Sequence, residues 1–462
     1  VSTSVLPRPV VRSTEAVVPL LPVVGADTEV PLVPAGRLRY VNLDTAASAP
    51  ALVSVADRVA EVLPFYASIH RGAGYLSQVS TALYESARDT VAAFVGARED
   101  DVCVFTRHTT DALNLLAACV PPGERVLVLD CEHHADLLPW QRRGPVTVLP
   151  TEATVADSLR ALSAALAGER YALVAVTGAS NVTGEALPLG EVVRLAHAAG
   201  TRVAVDGAQS VPHRAFSLAG SGADYVAFSG HKLYAPFGSG ALVGRRDWLD
   251  AAPAHLAGGG AVHEVTIAET TWAAAPHRHE GGSPNVLGAV ALAAACEALA
   301  ALPAGARERH ENVLRGRLVE GLGGLPGVRL LRIWSDSVDP TGVVSFTVDG
   351  ADPGLVAAYL SAEHGVGVRD GRFCAHPLLT HLGVPEGALR ASVGVATTSD
   401  DVDRLVDGVR AFLADGPSVR YAVVQGRWQP ADDPRSLAGL AGLAVSDPGA
   451  VARGTGCGTA AA

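Results

Sequence analysis

FSGHKLYAPFG, residues 228–238, holds the only lysine of the chain, Lys232; the other 35 of its 36 Lys+Arg residues are arginine. A coding bias towards arginine explains the scarcity of lysine but not the exception. Arginine carries positive charge on any surface, yet its pKa is too high for it to become a neutral, nucleophilic amine. A lysine kept at a single position is therefore a candidate for amine chemistry. The stretch also begins as an apolar run, DYVAFSG (224–230), that reads as a buried strand ending just before Lys232.

Working outwards, four more apolar runs of the same kind precede it: RVLVLD (125–130), VTVLP (146–150), YALVAVTG (171–178) and TRVAVDGA (201–208). Between them lie VADSLRALSAALAGE and LGEVVRLAHAAG, whose apolar residues recur at helical spacing. Continuous apolar strands alternating with helices imply an α/β fold, a mainly parallel sheet covered on both faces. Ligands in such folds gather at the carboxyl ends of the strands. Residues 1–35, rich in Val and Pro without a sustained period, read as an N-terminal arm. A large domain is expected over 36–290 and a smaller C-terminal α+β domain over 291–415. The latter has strands at VRLLRIW (328–334), TGVVSFTV (341–348) and VGVRDG (366–371), and closes with the helix DDVDRLVDGVRAFLADG. Residues 416–462 form an extension, its last part rich in Ala, Gly and Pro and expected to be disordered.

Composition narrows the classes. A 462-residue chain with 48% hydrophobic and 18% charged residues suits a multidomain globular enzyme. A net charge of −11 without a basic cluster argues against nucleic acid. No apolar run approaches a membrane span. VVPLLPVVGA (17–26) is broken by prolines and lacks a cleavage pattern, so no signal peptide is expected and a cytoplasmic location follows. The six cysteines are scattered without CxxC spacing, so neither a disulfide framework nor a metal site is expected.

The polar residues at the strand ends share a theme. Asp206 ends VAVDGAQS, with Gln209 three residues on; Ser180 and Asn181 follow the strand of TGASNVTG. A buried carboxylate there needs a cationic or hydrogen-bonding partner. CEHHADLLPW offers His133 and His134 to stack on a flat ring, and TRHTTDALN puts Thr109 and Thr110 where a helix begins, a good place for phosphate. Ser229 and His231 flank the lysine. An amine, an acid, a stacking ring and a phosphate cup together suit pyridoxal 5′-phosphate, which proteins hold through a lysine Schiff base and an acidic partner for the ring nitrogen.

The segments LDTAASAP, YASIHRGAGYLS, TRHTTDALNLLA, CEHHADLLPW, VAVDGAQSVPH and SGHKLYAPFGSGAL closely resemble the class V aminotransferase fold, and most of all its group II cysteine desulfurases. The resemblance runs from about Tyr40 to about Leu413. It implies a PLP-dependent transferase of fold type I, with Lys232 as the Schiff-base lysine, Asp206 on the ring nitrogen, Gln209 on the phenolic oxygen and His133 stacked on the ring. Thr109, Thr110, Ser229 and His231 would hold the phosphate, with Asn181 also on the cofactor side. HEGGSPN matches a segment that reaches the neighbouring subunit's phosphate, with Ser283 in the contacting position, which implies a homodimer with shared active sites.

VGVRDGRFCAHPLL places Cys374 on the family's active-site loop pattern, R-x-G-x-x-C-A-x-P-L, opened by Arg369. Arg390 matches the arginine that clamps the substrate carboxylate, a task suited to a bidentate guanidinium. His70 and Arg71 fit a substrate-side wall. The implied reaction removes sulfur from L-cysteine, leaving alanine and a Cys374 persulfide for a sulfur-acceptor protein. The chain departs from the pattern on the substrate side. Arg372-Phe373 stand where two histidines are common, Asp370 replaces a threonine, Asp136 an asparagine, and Ala396-Thr397-Thr398 an aromatic-Asn-Thr run. An aminotransferase or another amino-acid lyase with Cys374 as a bystander, and a non-catalytic binding module on the same fold, are the competing readings.

Overall fold

Val, Ala and Leu fill the strands at the middle of the main sheet, and most of the residues there are buried. In the computed structural model, residues 16–70 and 72–435 are described. Arg71, the start of the arm and the end of the extension lie outside them. Seven strands form the sheet: β1 (Asp101–Thr106), β2 (Val126–Leu129), β3 (Val146–Leu149), β4 (Leu173–Thr177), β5 (Arg202–Asp206), β6 (Tyr225–Ser229) and β7 (Gly240–Arg245). Their spatial order is β1-β7-β6-β5-β4-β2-β3. All neighbours pair in parallel except β7, which runs antiparallel to both β6 and β1. This is the mixed, mainly parallel sheet of an α/β fold, and its five parallel strands β2–β6 coincide with the apolar runs of the sequence.

Helices cover the sheet. α1 (Tyr75–Phe94) packs against α4 (Val286–Ala300), whose residues are apolar on nearly every face. A helix without a polar stripe must be buried, and eleven of its fifteen residues are. α2 (Thr109–Cys119) follows β1, and α3 (Val155–Gly168) follows β3. A long helix, α5 (Ala306–Gly323), leads to the second sheet: β8 (Val328–Leu330), β9 (Val343–Val348), β10 (Arg369–Gly371) and β11 (Ala388–Ser392), ordered β8-β9-β11-β10 and antiparallel throughout. α6 (Pro353–His364) and α7 (Ser399–Asp415) complete this smaller α+β unit.

VRLLRIW reads as one strand, but only its first half is. Ile333 and Trp334 instead turn into the core, where Glu185 accepts from the Ile333 amide (2.6 Å) and Trp334 Nε1 donates to Ser158 (2.9 Å). VGVRDG is likewise split, with Val366–Gly367 pairing in parallel with Val41–Asn42 near the N-terminus.

The antiparallel strand β7 brings the two halves of the site together. Its first residue, Gly240, pairs with Ser229 on one side and Thr106 on the other. A β-carbon on Gly240 would lie 2.6 Å from the Phe228 carbonyl oxygen and 2.9 Å from His108 Cα. Only a residue without a side chain lets those backbones close. Gly240→Ala is therefore expected to cost about 1–3 kcal/mol of overpacking, seen as a lower melting temperature; an unchanged melting curve would contradict this close approach.

Candidate active site

The strand ends converge on one cavity of about 410 Å³. Asp206 closes β5, Ser229 closes β6, Thr177 closes β4, His133 follows β2, and Thr109 and Thr110 open α2; all of them line it, as do Asn181, Gln209, His231, Lys232, Arg369, Cys374 and Arg390. Residues assigned to both the cofactor and the substrate side thus share one space. His70 and Ser283 do not line it. His70 hydrogen-bonds Glu85 (2.9 Å) and meets the His277 ring edge-on. Ser283 lines a separate cavity with Asn285, His255 and Glu280. Arg71 lies outside the described residues.

Lys232 sits in the single turn that follows β6. Burial lowers its pKa, Asp206 opposes that, and Arg390 adds to it, bringing the amine to about 8. Near neutrality a useful fraction is then uncharged and nucleophilic. Asp206 is 4% exposed and accepts a hydrogen bond from the Ala208 amide (2.9 Å). Burial raises its pKa, with the Ala208 amide and Lys232 opposing. It forms no ion pair among the described residues, so a cation delivered by a ligand would suit it. Gln209 donates from Nε2 to the Ala46 carbonyl (2.7 Å), while its buried Oε1 has no partner.

His133 Nδ1 accepts from the Ala135 amide (3.0 Å). Burial, with Lys232, His134 and Arg390 nearby, pulls its pKa to about 3, so the ring is neutral. His231 is lowered to about 4 by burial, Lys232 and His108. At the helix start, the Thr109 amide donates to Ser229 Oγ (2.7 Å) and the two hydroxyls lie 2.6 Å apart. This joins β6 to α2 in a polar cup. An amine, an unpaired buried acid, a neutral ring and that cup fit a phosphorylated pyridine aldehyde.

On the opposite wall, Arg390 is 3% exposed. It donates from Nη1 to the Asn181 carbonyl (2.9 Å) and from Nη2 to Asp44 (2.9 Å), and the Phe373 ring lies under it at 5.2 Å. Its Nε, also buried, has no partner. Asn181 in turn donates to the Phe373 carbonyl (2.8 Å), and the His134 amide to the Cys374 carbonyl (2.8 Å). The Asn181 side chain thus secures the cysteine loop. Arg372 points away, towards Glu386 (3.5 Å). The sequence reading misses Asp44, whose partnership with Arg390 spans 346 positions and leaves no local signal.

It also misses a buried acidic pair behind Asp206. Glu132 and Asp136 are 1% and 0% exposed; Trp140 Nε1 donates to Asp136 Oδ1 (3.1 Å), while both Glu132 oxygens and Asp136 Oδ2 have no partner. Burial raises both pKa values, Glu132 further through Asp136 and Asp136 further through Asp206. Adjacent carboxyls in such a place favour the protonated form.

Residues 41–405 match the Aminotransferase class-V family. The chain is 40% identical over 379 residues to the cysteine desulfurase of Dickeya dadantii (strain 3937), covering 79% of this chain and 90% of that one. It is 38% identical over 392 residues to the probable cysteine desulfurase 2 of Mycobacterium leprae (strain TN), covering 82% and 93%. Among solved structures, the cysteine desulfurase CsdA from Escherichia coli superposes with a TM-score of 0.73 at 35% identity, over 81% of this chain and 94% of that one. No helix of the described residues is long and apolar enough to cross a membrane.

The acidic pair carries a pH signature. In the folded protein Asp136 keeps its proton to higher pH than in the unfolded chain, so its contribution to stability is lost as pH rises towards the folded value. Asp136→Asn removes that loss and gives Glu132 an N–H donor. The variant is expected to gain in melting temperature over wild type by more as pH rises upwards from about 4, the unfolded value. A difference independent of pH, or larger at low pH, would contradict the assignment.

Proposed function

The chain belongs to the class V aminotransferase family, and from that premise we propose that it is a PLP-dependent cysteine desulfurase acting through Cys374. The observation that carries the proposal is that Cys374, Lys232 and Arg390 line one cavity. A transaminase needs the last two and has no use for a thiol there.

Lys232, Asp206, Gln209, His133, Thr109, Thr110, Ser229 and His231 would hold the cofactor. When bound, PLP supplies a ring that stabilises negative charge at the substrate Cα. Arg390 binds the carboxylate of L-cysteine, held in place by Asp44 and Asn181, and its unpartnered Nε is a donor to spare. Lys232, with its pKa near 8, moves the Cα proton. The Cys374 thiolate takes the substrate sulfur: the Cβ–S bond breaks, an S–S bond forms, and Cβ gains a proton to give alanine. Arg369, Arg390 and Lys232 line the same cavity, and positive charge beside Cys374 favours a thiolate. The persulfide sulfur then leaves to an acceptor protein. Ser283, outside the cavity of its own chain, serves the partner's site in a homodimer.

The test is L-cysteine turnover, with alanine and sulfide both measured in the presence of a thiol. Wild type is expected to release alanine, and Cys374→Ala to lose roughly 100-fold in rate, about 2.7 kcal/mol of barrier. Absence of alanine from wild type overturns the desulfurase reading. An undiminished rate in Cys374→Ala would instead favour a lyase in which the thiol is a bystander.

A further inference from the structure

Past the family match, which ends at residue 405, and past α7, the described residues build one more element. Tyr421–Val424 and Arg427–Pro430 pair as an antiparallel hairpin. Gln425 and Gly426 both have positive φ (52° and 76°), the geometry of a two-residue hairpin turn whose twist matches its strands. The hairpin is anchored to α6 through Glu363. That carboxylate accepts from the Tyr421 hydroxyl (3.0 Å) and from the amide and hydroxyl of Ser418 (3.1 and 2.5 Å).

Its second strand lies along α6. Trp428 sits over Gly354 in the first turn of that helix, so close that a β-carbon on Gly354 would be 3.1 Å from the indole and 3.5 Å from the Asp370 carboxylate. Indole, helix start and Asp370 therefore form one contact. Asp370 is the middle residue of β10, the edge strand of the small sheet. Alternation along a strand sends neighbouring side chains to opposite faces. Arg369 faces the active-site cavity, opposite Arg390 in register, and Asp370 faces the hairpin.

β10 leads directly into the cysteine loop, and that loop is strained. Phe373 and Cys374 are consecutive non-glycine residues at φ 51° and 52°. Such conformations persist only where the surroundings over-determine them. Asn181 and His134 hold the loop from the large unit through the Phe373 and Cys374 carbonyls. At its other end the loop hangs from β10, which is paired on one side only, by β11.

We infer that the hairpin Tyr421–Pro430 is a positioning element that backs β10 and thereby sets the cysteine loop from behind. Its meaning for sulfur transfer rests on the reading of Cys374 given above; its mechanical claim does not. Two full-chain variants disturb the seat. Trp428→Ala removes the indole. Gly354→Ala pushes it away while placing a better helix former in α6.

The readout is the rate at which iodoacetamide alkylates Cys374, followed on its own peptide, beside the melting temperature and the visible band of bound cofactor. Both variants are expected to raise the alkylation rate about fivefold, corresponding to roughly 1 kcal/mol, with the cofactor band retained. Alkylation at the wild-type rate in both variants overturns the inference. So does an increase that comes only with loss of the cofactor band, which would mark general loosening. Alkylation requires no turnover, so failure of the desulfurase reading and failure of the hairpin's role are separately visible.

Discussion

The site depends on keeping one amine out of water. Burial disfavours the charged form of Lys232, Arg390 pushes the same way, and Asp206 pushes back; the first two win, and the amine comes to rest at about 8. An arginine in this place would stay protonated whatever its surroundings. The surroundings have costs of their own, since the same desolvation raises Asp206, Glu132 and Asp136. Four titratable groups are thus enclosed at the carboxyl ends of parallel strands, and a ligand bearing a cation would answer Asp206, the acid among them that lines the cavity.

The second constraint is the closure of the cavity by chain segments far apart in sequence. Arg390 comes from the small sheet, Asn181 from the turn after β4, and Asp44 from the segment that pairs with residues 366–367. Their hydrogen bonds join the small sheet to the large one at the place where a substrate carboxylate would bind. The cysteine loop is held by the same group, since Asn181 serves Arg390 with its backbone and Phe373 with its side chain. A disturbance of this junction would reach carboxylate binding and thiol placement together.

Parts of this were legible in the residues. Strands β2, β4, β5 and β6 announce themselves because they are buried on both faces and almost wholly apolar, and the polar residues that end them stand out. β7 was harder to see, as GALVGR begins with one glycine and carries another before its last residue. VRLLRIW shows the opposite limit: an apolar run reads the same whether it is a strand or a buried turn. Asp44 and the Glu132–Asp136 pair acquire meaning only through contacts that the fold creates. The hairpin was masked by the Ala- and Gly-rich composition around it, although the glycine between YAVV and RWQP is a turn signal.

The most direct test of the account exploits the absence of any other lysine. The full chain is incubated with pyridoxal 5′-phosphate and reduced with borohydride, which fixes the pyridoxyl group to whichever amine holds it. The labelled peptide is then identified by mass. The account predicts one stoichiometric pyridoxyl group, on Lys232. A chain that stays unlabelled, or is labelled only at its terminal amine, would contradict it.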